Sequence, residues 1–170
     1  LIFLTLLFVS YRNFKIKSTY KKNYDALMNK SFQPIKEITP LQHTGIADIN
    51  AAAVTELIRQ LEKWEQGKKF LDKEITLVKL AATFNSNTKY LSLVVYHHRH
   101  KKFVTYVNDL KIDYLINALK ESKLLQQYTN KALAEEIGFS STQRFANAFK
   151  ARANMPAAFY IAQLKKEEKK

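Results

Sequence analysis

Hydrophobic positions recur at steps of three and four along most of the chain, the period of a helix with one buried face. Ile49, Val54, Leu57, Ile58, Leu61 and Trp64 form one such stripe. They predict a helix that Asp48 caps, that starts at Ile49 and that ends before Gly67, with Trp64 as a core anchor. Leu77, Leu80, Ala81 and Phe84 give a second, shorter stripe, which Asn85-Ser86-Asn87 interrupts with turn and N-cap chemistry. A further helix follows from Thr88, with Leu91, Val94 and Val95 inward. Two short helices across a tight turn have the helix-turn-helix layout, and the small Ala81 lets them cross closely.

The pair then recurs. Leu133, Ala134 and Ile137 repeat the spacing of Leu80, Ala81 and Phe84. Gly138-Phe139-Ser140 makes the turn, Ser141 caps, and Phe145, Ala148 and Phe149 face inward. Gly138 stands where the chain needs a left-handed residue, and Phe139 is placed to plug the space between the helices. Between the pairs, Phe103 to Ser122 carries Phe103, Tyr106, Val107, Leu110, Tyr114 and Ala118 on one stripe. A helix of that length spans about 27 Å. One turn of B-DNA is about 34 Å, so the spacing suits two recognition helices in successive major grooves on one DNA face.

The first residues differ from the rest. Leu1 to Val9 is apolar except for Thr5, and Tyr11, Arg12, Lys15, Lys17, Lys21 and Lys22 follow. Nine residues cover roughly half of a ~30 Å hydrocarbon core, and an interfacial aromatic before clustered cations marks a cytoplasmic flank. Residues 1–22 therefore read as the C-terminal part of a transmembrane helix with its basic flank, in a fragment that begins inside the span. The domain beyond it would lie at the cytoplasmic face of the inner membrane. The alternative is a hydrophobic N-terminal helix of a soluble protein. Residues 23–47, with Pro34, Pro40 and Gly45 and no sustained period, read as a linker. The domain proper is 48–170, with helix-turn-helix units near 76–100 and 129–152 and a linking helix near 103–122.

Charge narrows the class. The chain has 28 Lys and Arg against 15 Asp and Glu, a net +13 and a pI near 9.8. Residues 71–170 alone carry 17 against nine, so the basic excess is not confined to the membrane flank. Such a surface attracts phosphate, in nucleic acid or anionic lipid. The absence of Cys removes disulfides, thiolate metal sites and Cys nucleophiles. His97, His98 and His100 lack a supporting ligand set, and 97 and 98 point about 100° apart on a helix, so no metal is expected. Glu135 and Glu136 diverge as neighbours on a helix. No catalytic residue, phosphate-cradling loop or cofactor fingerprint stands out, and no enzyme activity is expected.

The order Ala134-Glu-Glu-Ile-Gly138-Phe139-Ser-Ser, then Phe145, then Ala148-Phe149-Lys150, resembles the AraC/XylS family of bacterial transcription regulators. Leu80-Ala81, Asn87-Thr88-Lys89-Tyr90-Leu91-Ser92 and Tyr106-Val-Asn-Asp-Leu-Lys111-Ile agree with it. The resemblance covers about residues 65–165 and is strongest to the membrane-tethered form common in Bacteroidota. The chain departs from the family in having His100 and Asn154 at usual loop glycines, Pro156 one position early, Lys111 where Arg is frequent and Leu93 where a polar residue is frequent. The resemblance implies an all-α chain of two helix-turn-helix subdomains joined by a long linking helix, preceded here by the span remnant and linker. It also implies a sequence-specific regulator that binds double-stranded DNA, with RNA polymerase and a homodimer partner through an upstream part as further expectations.

On the outward faces, Lys89, Ser92, Leu93 and Tyr96 of the first recognition helix and Thr142, Gln143, Arg144 and Asn147 of the second are the candidates for base contact. Arg or Lys suits guanine, Gln or Asn suits adenine, and Leu offers only apolar contact. The helix starts at Thr88 and Ser141 and the cations Lys101, Lys102, Lys111, Lys150 and Arg152 are the candidates for phosphate contact. The competing reading is a non-enzymatic basic helical module that binds a membrane surface or protein partners.

Overall fold

Short polar side chains start five of the helices of this protein. The computed structural model describes residues 2–29 and 50–168, and among these it holds eight α-helices and two single 3-10 turns, with no strand. The helices are α1 (Ile2–Asn29), α2 (Ala51–Gln66), α3 (Leu77–Thr83), α4 (Thr88–Arg99), α5 (Phe103–Glu121), α6 (Asn130–Glu136), α7 (Thr142–Ala153) and α8 (Ala157–Glu167). The Thr76 hydroxyl accepts the Lys79 N–H at 3.1 Å, and the Asn87 side-chain oxygen accepts that of Tyr90 at 2.8 Å. Thr129 and Ser141 repeat the arrangement for α6 and α7, at 3.2 and 3.3 Å. Each cap satisfies an otherwise orphaned donor and is worth about 1 kcal/mol. At α2 the capping residue is Asn50, which accepts the Ala52 N–H at 2.9 Å. Asp48 and Ile49, expected as cap and first residue, lie outside the described residues.

Both helix-turn-helix turns are built alike. The Ser86 N–H donates to the Ala81 carbonyl at 2.9 Å, and the Phe139 N–H donates to that of Ala134 at 2.8 Å. The turn residue between is left-handed in each case, Asn85 (φ 50°) and Gly138 (φ 71°), which closes the last carbonyls of α3 and α6. One extra residue in the second turn places α7 54 positions after α4. Ala81 and Ala134 are buried at the two crossings, and Phe139 packs edge-on to Phe145 at 5.9 Å. His100 and Asn154, at the expected loop glycines, are both left-handed, with φ 53° and 55°. A left-handed His is strained, and Asn less so. His100→Gly is expected to raise stability by about 0.5 kcal/mol, read as the denaturant midpoint; Asn154→Gly should gain less.

Two cores result. The first gathers α2 to α4 and the start of α5 around Leu61, Trp64, Leu80, Leu91, Val94 and Tyr106. The second gathers the rest of α5 with α6 to α8 around Ile112, Leu115, Leu133, Phe145, Phe149 and Tyr160. Trp64 is a core anchor, with its ring 6.0 Å from Phe70 and 6.3 Å from Tyr106. Helix α5 serves both cores, but not through one stripe. Phe103, Tyr106 and Val107 enter the first, whereas Ile112, Leu115, Ile116 and Leu119 enter the second from another side of the helix. Leu110 and Tyr114 are only partly buried, and Tyr114 packs against both cores. The single stripe through Ala118 is thus replaced by two faces, because the modules grip α5 from different directions.

Helix α1 changes the expected boundaries most. It runs through residues 23–29, which the sequence assigns to a linker, and residues 30–47 lie outside the described residues. Tyr24 is buried in the second core, tilted against Tyr160 at 5.4 Å, and its hydroxyl donates to Glu167 at 2.7 Å. Tyr20 meets Phe159 edge-on at 5.4 Å, and the Asn23 amide donates to the Asn154 carbonyl at 3.0 Å. Pro34, Pro40 and Gly45 obscured the short stripe of Tyr20, Tyr24, Leu27 and Met28 that signals this packing. Among the described residues no helix is long and apolar enough to cross a membrane. The apolar run is the exposed beginning of α1, with Leu6, Leu7, Phe8 and Phe14 all more than half accessible.

Candidate nucleic-acid interface

Helices α4 and α7 are the second helices of the two modules, and each presents a polar face away from its core. On α4, Leu91, Val94 and Val95 are buried, while Thr88, Lys89 and Tyr96 are exposed and Ser92 and Leu93 half-buried. On α7, Phe145 and Phe149 are buried, while Ser141, Thr142, Gln143, Arg144, Asn147 and Lys150 are exposed. The Gln143 side-chain amide donates to the Asn147 side-chain oxygen at 2.9 Å, and the Arg144 guanidinium donates to the Ser140 hydroxyl at 3.2 Å. These contacts hold the side chains in place along the helix and leave further donors and acceptors facing outward.

The structure divides the basic candidates. Lys102 and Lys150 are exposed. Lys101 is ion-paired with Asp109 on α5. Arg152 forms a two-pronged pair with Asp113, 2.7 Å on each side, which ties α7 to α5. Burial pushes the Asp113 carboxyl up from its usual range, opposed by the Arg152 hydrogen bonds. Lys111 gives the largest departure from the sequence reading. It is 4 % exposed, and its ammonium donates to the Asp72 carbonyl at 3.1 Å and the Gly138 carbonyl at 2.5 Å. The positive charge that the sequence reading directs at phosphate instead clasps the two modules across α5.

Arg152→Leu leaves Asp113 with no partner in a site where its side chain is 23 % accessible. We expect a loss of about 2 kcal/mol, below the range for fully buried pairs because both side chains touch water. The folded-state pKa of Asp113 already exceeds its ordinary value, and the substitution raises it further. The folded state then binds the proton more tightly than the unfolded state. Stability therefore falls as pH rises through the interval between the two pKa values. A variant whose denaturant midpoint does not fall with rising pH over that interval contradicts the assignment.

A second joint lies beside Lys111. A Cβ at Gly138 would stand 1.9 Å from the Leu71 carbonyl oxygen and 3.1 Å from the Lys111 ammonium. The segment leading into α3 and the turn of the second module thus meet backbone to backbone. Glycine spacing in the sequence signals the left-handed turn, but nothing in it signals this contact. On the far side of the first module, the Arg99 guanidinium donates to Glu65 at 2.9 Å, and the Tyr106 hydroxyl also donates to Glu65, binding α2, α4 and α5 together.

Two solved structures are similar to this one in fold. The C-terminal domain of AraT, a response regulator from Geobacillus stearothermophilus, aligns with a TM-score of 0.55 at 20% identity, over 63% of this chain and 84% of that one. The C-terminal domain of the two-component response regulator yesN from Fusobacterium nucleatum subsp. nucleatum ATCC 25586 gives 0.51 at 20%, over 65% of this chain and 99% of that one. This chain has the AraC-type double helix-turn-helix fold. No protein-family model and no curated protein matches it. Within this fold α4 and α7 are the second helices of the two helix-turn-helix units, and α5 links them.

Proposed function

We propose that this chain binds double-stranded DNA with sequence preference and regulates transcription, laying α4 and α7 in adjacent major grooves on one face of the duplex. The observation that carries the reading is the pair of capped helices, each buried on one side and lined with donors and acceptors on the other. The fold it shares with two response-regulator domains, and the basic surplus, support it. Lys89, Ser92, Tyr96, Gln143, Arg144 and Asn147 read base edges; Leu93 adds apolar contact, and Thr142 sits at the rim. Thr88, Ser141, Lys102 and Lys150 hold phosphates, while Lys101, Lys111 and Arg152 act from within the protein. The reading is non-enzymatic and places the domain in the cytoplasm. The apolar start of α1 and the cations after it are the part that meets the inner membrane, and contacts with RNA polymerase or a second copy follow from the regulator role. Selection of bound fragments from random duplex DNA tests the proposal. Recovery of a motif with two half-sites about one helical turn apart supports it. Uniform binding to all sequences, with stronger uptake by anionic vesicles, refutes it in favour of a basic surface-binding module.

A further inference from the structure

Helices α4 and α7 each end against a helix from earlier in the chain. In the first module Arg99, the last residue of α4, donates to Glu65 of α2 at 2.9 Å. In the second, the carbonyl of Asn154, where α7 ends, accepts the Asn23 side-chain amide of α1 at 3.0 Å. A helix end leaves carbonyls without intrahelical donors, and Asn23 brings a donor to this one from 131 positions away. Asn154 is left-handed and forms the corner between α7 and α8. Tyr24 backs the contact. It is 1% exposed, and its hydroxyl is held by Glu167 of α8. Its ring lies 5.4 Å from that of Tyr160, and rings follow at steps of 5.9 Å through Phe149 and Phe145 to Phe139. Phe145 and Phe149 are the inner face of α7, and Phe139 is in the turn that leads into it. The row of rings therefore runs from α1 beneath α7. Interiors packed this closely pass a displacement on rather than absorb it. Among the described residues, α1 adds to the second core and not to the first.

The geometry points to α1 as part of the reading machinery of the second module, with Asn23 and Tyr24 as positioning residues for α7. Asn23 fixes the far end of that helix and Tyr24 supports its inner face, while Gln143, Arg144 and Asn147 stand on its outer face. Hydrogen bonds to base edges are directional, so a small tilt of α7 misaligns all three. Helix α4 has its own support in Glu65 and is left as it was. The consequence for DNA rests on the DNA-binding reading above; the seating of α7 does not.

Asn23→Asp in the full chain tests this, because it turns the donor into an acceptor of like size and sets a negative charge at the negative end of α7. Amide hydrogen exchange without DNA is expected to quicken about tenfold or more in α7 and α8 and to stay within about twofold in α4. On the duplex recovered from random DNA, discrimination at the half-site that Arg144→Ala also impairs should fall about fivefold or more, with the other half-site within about twofold. Tyr24→Leu, which breaks the row of rings, is expected to give the same pattern. Ala26→Glu makes the same charge change at an exposed position of α1 and should match the parent in both measurements. If Asn23→Asp does not fold, Asn23→Ala removes the donor alone and should show the same pattern at about threefold. Exchange in α7 like the parent's, equal quickening in both modules or equal loss at both half-sites overturns the inference. The same effects from Ala26→Glu also overturn it, since charge on α1 would then be the cause. A parent that selects no DNA site refutes the regulator reading, and exchange alone then decides whether α1 seats α7.

Discussion

Gly138→Val is expected to lower the melting temperature on the order of 10 °C. Two costs add at this position. The backbone is left-handed, with φ +71°, where a side chain costs about 1–2 kcal/mol and a β-branched one is a genuine outlier. The new Cβ would also fall 1.9 Å from the Leu71 carbonyl oxygen. That neighbour is backbone, so it cannot swing aside, and overpacking of this kind costs about 1–3 kcal/mol more. Gly138→Ala separates the two: it lacks the β-branch but meets the same oxygen, and should still lose most of the stability. An alanine variant that melts like the parent would mean that the modules do not touch here. Because the turn also supplies a carbonyl to Lys111, whatever folded protein survives should bind DNA less well than its stability alone explains.

Arg144→Ala is expected to leave stability within about 0.5 kcal/mol, as for exposed positions generally, yet to weaken the preferred DNA site by about 1–3 kcal/mol, roughly 5- to 150-fold. The guanidinium carries five donors, and only one is held by Ser140. The contact aims the group along the outer face of α7 and leaves its fork available for guanine. Non-specific DNA should lose far less, since one cation among many is removed. Arg144→Lys is the diagnostic companion: it retains the charge but not the two-pronged geometry. If lysine restores both affinity and discrimination, Arg144 contacts phosphate and the base-reading role is wrong.

The local architecture was legible because local chemistry dictates it. Asn87, Ser141 and Gly138 each perform the backbone task that their side chain, or its absence, suits them for. The stripes over Leu57–Trp64, Leu80–Phe84 and Leu91–Val95 became the first core for the same reason. What joins distant segments was not legible. Lys111 looks like any basic residue in a basic protein until Asp72 and Gly138 are brought to either side of it. Arg152 and Asp113 are 39 positions apart, and no spacing rule couples them. The docking of Tyr24 lay in between: its helical stripe is present in the sequence, but three breakers downstream made the whole segment read as a linker.

The clasp at Lys111 and the backbone contact at Gly138 leave little freedom between the halves of this protein. The linking helix is about 28 Å long, shorter than the ~34 Å of a straight duplex turn. If both halves are to engage, the nucleic acid is the partner that yields. Curving a site by tens of degrees costs on the order of 1–6 kcal/mol, depending on how pliant its steps are. Base pairs midway between the two half-sites, touched by no side chain, would thereby help to choose where this protein settles on a genome.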